Sequence, residues 1–141
     1  MITAQIHIWG GGGGGGGSNA TVGASGGGGA AYAKLTDFIA ASGQAYALVV
    51  GTAGAAGAAP GNGTAGGNST FNAANGTTIG RSEGGSKGNR PSGAASNSAG
   101  GTVANSLGNT TYKGGNGSRY NSTTTSQFCF YALVHAKNLN V

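Results

Sequence analysis

Eight consecutive glycines at positions 10–17 constrain this chain more than any other feature. Glycine supplies 33 of the 141 residues, roughly three times its usual share in a globular domain. An ordered glycine loses more backbone entropy than any other residue and returns no side-chain burial. If the glycine tracts are ordered, backbone hydrogen bonds and the close approach of bare backbones must hold them.

A period of three residues runs through positions 51–66. Glycine recurs at every third position, with Pro60 filling the one missing step: Gly51, Gly54, Gly57, Gly63 and Gly66. Three residues per turn is the polyproline II repeat, so the pattern predicts extended, glycine-lined runs that pack closely on their neighbours. A flexible Ala/Gly linker is the alternative interpretation.

Alternating apolar residues predict four strands, near residues 2–9, 32–38, 45–50 and 127–135. The second and third form a predicted hairpin around Ser42-Gly43-Gln44, although a helix over residues 31–41 competes because Ala, Lys and Leu favour helices. Phe71 and Ile79 stand as isolated apolar anchors inside polar turns. We therefore expect one mainly β domain over residues 1–141, a small β-scaffold that is either a sandwich or an intersubunit sheet. Long glycine-rich, polyproline-II-like loops would span residues 10–29, 51–67 and 80–126.

The chain has few groups for catalysis or metal binding. It contains two carboxylates, two histidines and one cysteine, too few for most acid–base or metal sites. His7, His135 and Cys129 match no zinc spacing, and Ser25 lies in a G-x-S-x-G match without the strand and helix that a nucleophile elbow needs. We expect no enzyme activity, cofactor, metal or small-molecule substrate. No apolar run approaches the roughly 20 residues that cross a bilayer, so we expect no membrane insertion.

The formal net charge is +5, and the basic residues are spread along the whole length. This distribution is typical of a solvated face and predicts no specific nucleic-acid partner. Weak attraction to a polyanionic surface such as lipopolysaccharide is the alternative. The few large apolar residues make a core too small for a stable monomer, which favours oligomerisation.

The motifs of the first 75 residues follow a definite order. An apolar strand ends in Trp9-Gly10 and continues into polyglycine, and a strand then opens with Tyr32-Ala33-Lys34. The stretch AYALVVG at positions 45–51 and the stretch GNSTF at positions 67–71 complete the order. This arrangement resembles the glycine-rich domain of bacteriophage tail and virion structural proteins, and it is similar to the polyglycine lattices of phage receptor-binding adhesins. The final residues, FCFYALVHAKNLNV, depart from the closing Val-Ile-Arg-like strand of that family.

The resemblance implies a non-enzymatic phage virion protein, assembled in the host bacterial cytoplasm and working as a homo-oligomer, expected to be a homotrimer. We expect a capsid decoration (cement) protein that binds other virion proteins such as the major capsid protein. The subunit or capsid interface would lie on the terminal strands, at Ile6, Ile8, Trp9, Phe128, Phe130 and Tyr131. The alternative is a tail-fibre or tail-spike adhesin that recognises a host surface glycan or outer-membrane protein. Its host-contact loop would present Arg81, Lys87, Arg90, Tyr112, Arg119 and Tyr120.

Overall fold

The computed structural model describes residues 2–19, 22–90 and 97–119, and every regular element in these ranges is a β-strand. The mainly β prediction is therefore confirmed for this part of the chain, and the competing helix over residues 31–41 is wrong. The predicted strand at 127–135 lies outside the described residues. No described segment forms a helix that could cross a bilayer. The strands are β1 (Ile2–Trp9), β2 (Tyr32–Ala40), β3 (Tyr46–Val49), β4 (Ser69–Ala73), β5 (Thr78–Ser82) and β6 (Thr110–Tyr112).

The strands form two three-stranded antiparallel sheets, in the orders β1-β2-β6 and β3-β4-β5. The predicted hairpin between residues 32–38 and 45–50 is wrong, because β2 and β3 belong to different sheets. A hairpin instead joins β4 to β5 through Asn75-Gly76, where Gly76 has a φ of 81° that few other residues adopt. Asn-Gly is a strong hairpin signal, and it marks this turn in the sequence.

The two sheets pack face to face over a small core. Four apolar side chains are buried there, and four more pack partly buried against them: Ile8, Ala33, Leu35 and Phe71, with Ile6, Phe38, Tyr46 and Ile79 around them. The Phe38 ring stands edge-on to Phe71 and Tyr46, with ring centroids 5.1 and 5.2 Å apart, an orientation that aromatic pairs prefer. Phe71 and Ile79 are therefore core residues of a sandwich and not isolated anchors.

The glycine-rich segments form an ordered lattice of seven extended runs within the described residues. We call them the lattice runs and name each by its residues: 10–17, 25–31, 51–58, 61–67, 83–90, 98–101 and 114–118. Their backbone hydrogen bonds arrange them in two layers. One layer has the order 51–58, 10–17, 25–31, 114–118, and the other has the order 61–67, 83–90, 98–101.

Run 10–17 is hydrogen-bonded to four other runs, and its bonds repeat every three residues. The N–H groups of Gly11, Gly14 and Gly17 donate to carbonyls of run 61–67 over 2.8–2.9 Å. The N–H groups of Gly10, Gly13 and Gly16 donate to carbonyls of run 25–31. Carbonyls of run 10–17 in turn accept from N–H groups of runs 51–58 and 83–90. This repeat agrees with the three-residue turn of a polyproline II helix, which has no internal hydrogen bonds.

The close spacing of the runs explains why glycine is required at these positions. A Cβ on Gly11 would overlap the carbonyl oxygen of Thr52, and a Cβ on Gly14 would overlap that of Ala55, both in run 51–58. A Cβ on Gly13 would likewise overlap the carbonyl oxygen of Ser86 in run 83–90. Gly15 differs, because its Cβ would meet no heavy atom closer than 3.8 Å. The sequence therefore needs glycine on two of the three faces of run 10–17.

Two parts of the chain depart from the predicted loops. The chain reverses at Ala59 and Pro60, since Thr64 N–H donates to the Ala55 carbonyl across the turn. Pro60 therefore ends a run and does not fill a step of one continuous repeat. Residues 80–119 of the predicted loop 80–126 contain three lattice runs, the end of β5 and all of β6. Gly85 and Gly88 are buried within run 83–90 because its backbone bonds to neighbours on several sides.

Candidate binding surface

The sheet β1-β2-β6 carries a row of aromatic side chains on the face opposite the core. Side chains alternate along a strand, so Ala33 and Leu35 of β2 enter the core while Tyr32 and Lys34 lie on the outer face. Trp9 pairs with Tyr32 across β1 and β2, and Tyr32 pairs with Tyr112 across β2 and β6. The ring centroids are 5.1 Å apart for Trp9 and Tyr32 and 5.9 Å apart for Tyr32 and Tyr112.

His7 completes this group, which we call the aromatic row: His7, Trp9, Tyr32 and Tyr112. Its ring stacks on Trp9 with centroids 5.9 Å apart and an angle of 18° between the planes. The Tyr32 hydroxyl and the His7 Nδ1 are hydrogen-bonded at 2.8 Å. Burial of the Tyr32 side chain, and secondly the nearby Tyr112 phenol, raise the pKa of Tyr32 above its ordinary value. The hydroxyl therefore stays protonated at neutral pH, and the contacts fix the rings relative to one another.

The aromatic row is open to solvent at both of its ends. Trp9 is 47% exposed and Tyr112 is 62% exposed, whereas Phe38 and Phe71 pack between the sheets. The outer rings all carry a polar atom, and the core phenylalanines carry none. A cluster of exposed aromatic side chains is unusual on a protein surface and typically marks a binding site.

The charge near the aromatic row is positive. Lys34 lies between His7 of β1 and Thr110 of β6 in the sheet register, and Lys113 directly follows Tyr112. The chain has only two carboxylate side chains. One, Asp37, is exposed on β2.

The other carboxylate, Glu83, is held by its own hydrogen bonds. Its oxygens accept from the Thr102 hydroxyl at 2.7 Å, from the Thr102 N–H, and from the Asn105 amide at 2.8 Å. The bonds from Thr102 hold the pKa of Glu83 below its ordinary value. Glu83 therefore anchors the turn that follows run 98–101.

The predicted interface residues lie in different environments. Ile8 is 2% exposed in the core, and Ile6 packs beside it, so the chain covers both side chains without a second subunit. Trp9 points to the other face, in the aromatic row. The remaining three, Phe128, Phe130 and Tyr131, lie outside the described residues, and their role at an interface stays a prediction.

The predicted host-contact residues are also dispersed. Arg81 lies on β5, and its Nε donates to the Asn105 carbonyl at 2.7 Å. Lys87 and Arg90 are exposed on run 83–90, and Arg119 is exposed just after run 114–118. Only Tyr112 joins the aromatic row, and Tyr120 lies outside the described residues.

Sequence reasoning did not assign His7 and Tyr32 to a binding surface. The alternation of His7 with Ile6 and Ile8 marks it as outward-facing, and Tyr32 has the same phase as Lys34. Recognising the row also requires the pairing of β1 with β2 and β6, which brings together residues that are distant in the chain.

Ser25, the residue of the G-x-S-x-G match, connects lattice runs. It is 3% exposed, and its Oγ accepts from the Asn89 N–H at 2.7 Å and lies 3.5 Å from Ser98 Oγ. These contacts link run 25–31 to runs 83–90 and 98–101. Across the described ranges, no group of three or more His, Cys, Asp or Glu side chains could hold a metal ion.

A second surface feature is the edge of the sheet β3-β4-β5. Strand β3 is an outer strand of this sheet, and one of its edges pairs with no described strand. Leu48, Val49 and the following Val50 are each more than half exposed. An apolar edge strand that also offers free backbone groups is a site for pairing with another chain.

Comparison with known proteins assigns the chain to a family. No curated protein and no solved structure matches it. A family model described as a glycine-rich domain matches residues 2–130, which cover the two sheets, all seven lattice runs and most of the remaining chain. The chain therefore belongs to the glycine-rich domain family.

Proposed function

We propose that the chain is a non-enzymatic structural protein of a bacteriophage virion, acting as a homo-oligomeric capsid decoration protein. The observation that carries this proposal is the apolar edge of β3, which no described strand covers. Leu48, Val49 and Val50 are each more than half exposed, although large apolar side chains are few in this sequence. Their burial against another subunit would stabilise an assembly by removing apolar surface from water.

The lattice supports the same proposal, because it makes the glycine-rich part a rigid unit that can assemble with other subunits. Backbone hydrogen bonds between runs hold the glycine-rich part in one arrangement, with few side chains involved. Such a unit is stiff without a large core, and its surface residues are free to contact neighbours. A decoration protein needs these two properties, a rigid body and an interface that is completed only on assembly.

Sedimentation velocity of the purified protein tests the self-association. We expect an oligomer. Leu48→Lys should shift it toward monomer, because it places a charge on the β3 edge that the neighbouring subunit would bury. Val103→Lys is the matched control, because Val103 is a similarly exposed apolar residue in a turn away from β3. A wild-type monomer at all concentrations, or equal dissociation in both variants, would contradict the role of β3.

Immunogold labelling of purified virions from the source phage tests the location. An antibody against the exposed polar residues of run 61–67 should label the capsid shell. Label confined to the tail would favour the adhesin, and unlabelled intact virions would contradict any place on the particle surface.

The aromatic row favours a second candidate function, a tail-fibre or tail-spike adhesin that recognises a host surface glycan. The supporting observation is that Trp9 and Tyr112 are exposed on a fixed sheet face that also carries Lys34. A decoration protein that only cements the capsid has no need for such a surface.

A further inference from the structure

We propose that the aromatic row, with Lys34 and Lys113, is a binding site for an anionic polysaccharide. This inference rests on the second candidate function, the adhesin, and it names the site and the ligand class. It does not require the β3 contact.

The shape of the row suits a chain of sugar rings. A pyranose presents C–H groups on its faces, and these pack on aromatic rings with little loss of hydration. The rings of Trp9, Tyr32 and Tyr112 cross the sheet from one edge strand to the other. An extended saccharide can therefore contact the exposed ends of the row at Trp9 and Tyr112 together.

The site is fixed before a ligand arrives. The hydrogen bond between Tyr32 and His7, and the stacking of His7 on Trp9, hold three of the four rings against one another. Side chains that are already ordered lose less entropy on binding, which matters for ligands that make few strong contacts. The polar atoms of His7, Trp9 and the tyrosines can then bond to sugar hydroxyls.

The charge pattern selects an acidic saccharide rather than a neutral one. Lys34 lies on the face of the row, between His7 and Thr110 in the register, and Lys113 directly follows Tyr112 in the chain. Of the two carboxylates of the chain, Glu83 is engaged by Thr102 and Asn105. Carboxylate or phosphate groups on a polysaccharide would be attracted to these lysines. A nucleic acid carries a charge on every nucleotide, and tight binding needs many more cations along its path. One lysine on the face of the row and a second one next to Tyr112 in the chain fit a sparsely charged polymer better.

Intrinsic fluorescence gives a direct test, since Trp9 is the only tryptophan in the chain. Polygalacturonate is the anionic probe, dextran is the neutral probe, and a 20-nucleotide oligothymidylate is the nucleic-acid probe. We expect polygalacturonate to produce a saturable change in Trp9 emission, with at least tenfold weaker responses to the other two. Equal binding of dextran would overturn the selection for charge, and tighter binding of the oligonucleotide would overturn the ligand class.

Substitutions separate this site from general attraction to a basic protein. Tyr112→Ala and Lys113→Gln should each weaken polygalacturonate binding about tenfold, and Tyr112→Phe should keep most of the affinity. Arg90→Gln is the matched control, because it removes one exposed positive charge from run 83–90, outside the row. If Arg90→Gln weakens binding as much as Lys113→Gln, the proposed site is wrong.

The experiments distinguish failure of the polysaccharide site from failure of the proposed decoration role. Circular dichroism and thermal unfolding of each variant show whether it has kept its fold. If the wild-type protein is a monomer but its Trp9 emission changes saturably with polygalacturonate, the site is supported and the decoration role is contradicted. If Trp9 emission does not respond to polygalacturonate in a protein that assembles normally, the site is overturned and the structural role stays intact.

Discussion

Gly14→Ala tests the lattice at a crowded position of run 10–17. The new Cβ would overlap the Ala55 carbonyl oxygen, which belongs to the backbone of run 51–58 and cannot rotate away as a side chain does. Gly14 also donates to the Thr64 carbonyl at 2.9 Å, so run 61–67 holds its backbone in place as well. The substitution must therefore push run 51–58 away from run 10–17.

The expected cost follows from the bonds that join these two runs. Overpacking costs about 1–3 kcal/mol. The N–H groups of Gly54 and Gly57 donate to run 10–17 over 2.8 and 2.9 Å, and losing both bonds costs about 0.5–1.5 kcal/mol each. Alanine restricts the unfolded chain and offsets about 0.4–1 kcal/mol. The net destabilisation is about 3 kcal/mol, a lowering of the melting temperature by roughly 10 °C.

Gly15→Ala provides a control in the same run. Its Cβ would have no heavy atom closer than 3.8 Å, and neither glycine has a positive φ. We expect this variant to unfold at or slightly above the wild-type temperature. Thermal and urea unfolding followed by Trp9 fluorescence and circular dichroism measure both variants. Equal stability of Gly14→Ala and Gly15→Ala would refute the claim that close backbone packing fixes the glycines.

Three further substitutions probe other parts of the structure. Leu48→Lys should dissociate the oligomer in sedimentation velocity. Ser25→Ala should lower the free energy of unfolding by about 1–3 kcal/mol in urea titrations, because the Asn89 N–H loses its acceptor. Glu83 has a lowered pKa in the folded state, so its contribution is present above the unfolded value of about 4.3 and is lost as pH falls through the folded value. Glu83→Gln should therefore be less stable than wild type at pH 6 and should lose less stability on acidification, as thermal unfolding across this pH range would show.

The sequence predicts that the glycine-rich segments form extended runs held by backbone contacts, but it does not predict which runs lie side by side. The glycine tract at 10–17 and the three-residue period from Gly51 both indicate extended runs held by backbone contacts. Which run lies beside which depends on hydrogen bonds between distant residues, such as Gly11 with Gly67. Glycines carry no side chain that distinguishes one partner from another, so local pattern alone cannot assign these neighbours.

The strands differed in how far local signals could define them. Alternation located β1 and β2 well, because one face of each is apolar. The predicted pairing of β2 with β3 is wrong because the turn at Gly43 does not form a hairpin. Phe38 of β2 instead packs edge-on against Tyr46 and Phe71, which lie on the facing sheet. The hairpin at Asn75-Gly76 had a clear turn signal, but its strands are short and mostly polar.

The candidate site was predictable only in part. Trp9 and Tyr112 were each singled out, but for two different surfaces, an interface and a host-contact loop. The sheet brings them to either side of Tyr32, and this depends on the registers of β1 and β6 against β2. Single-residue features could identify the members of the row, whereas the row itself is a property of the tertiary structure.

Native-state hydrogen exchange of individual amides in run 10–17 tests the lattice most directly. The N–H groups of Gly11, Gly14 and Gly17 donate to run 61–67, whereas those of Gly12 and Gly15 bond to no described residue. We expect slow exchange at the first three positions and much faster exchange at Gly12 and Gly15, a pattern with a period of three residues. Exchange at random-coil rates through the whole run would contradict the ordered lattice on which the structure depends.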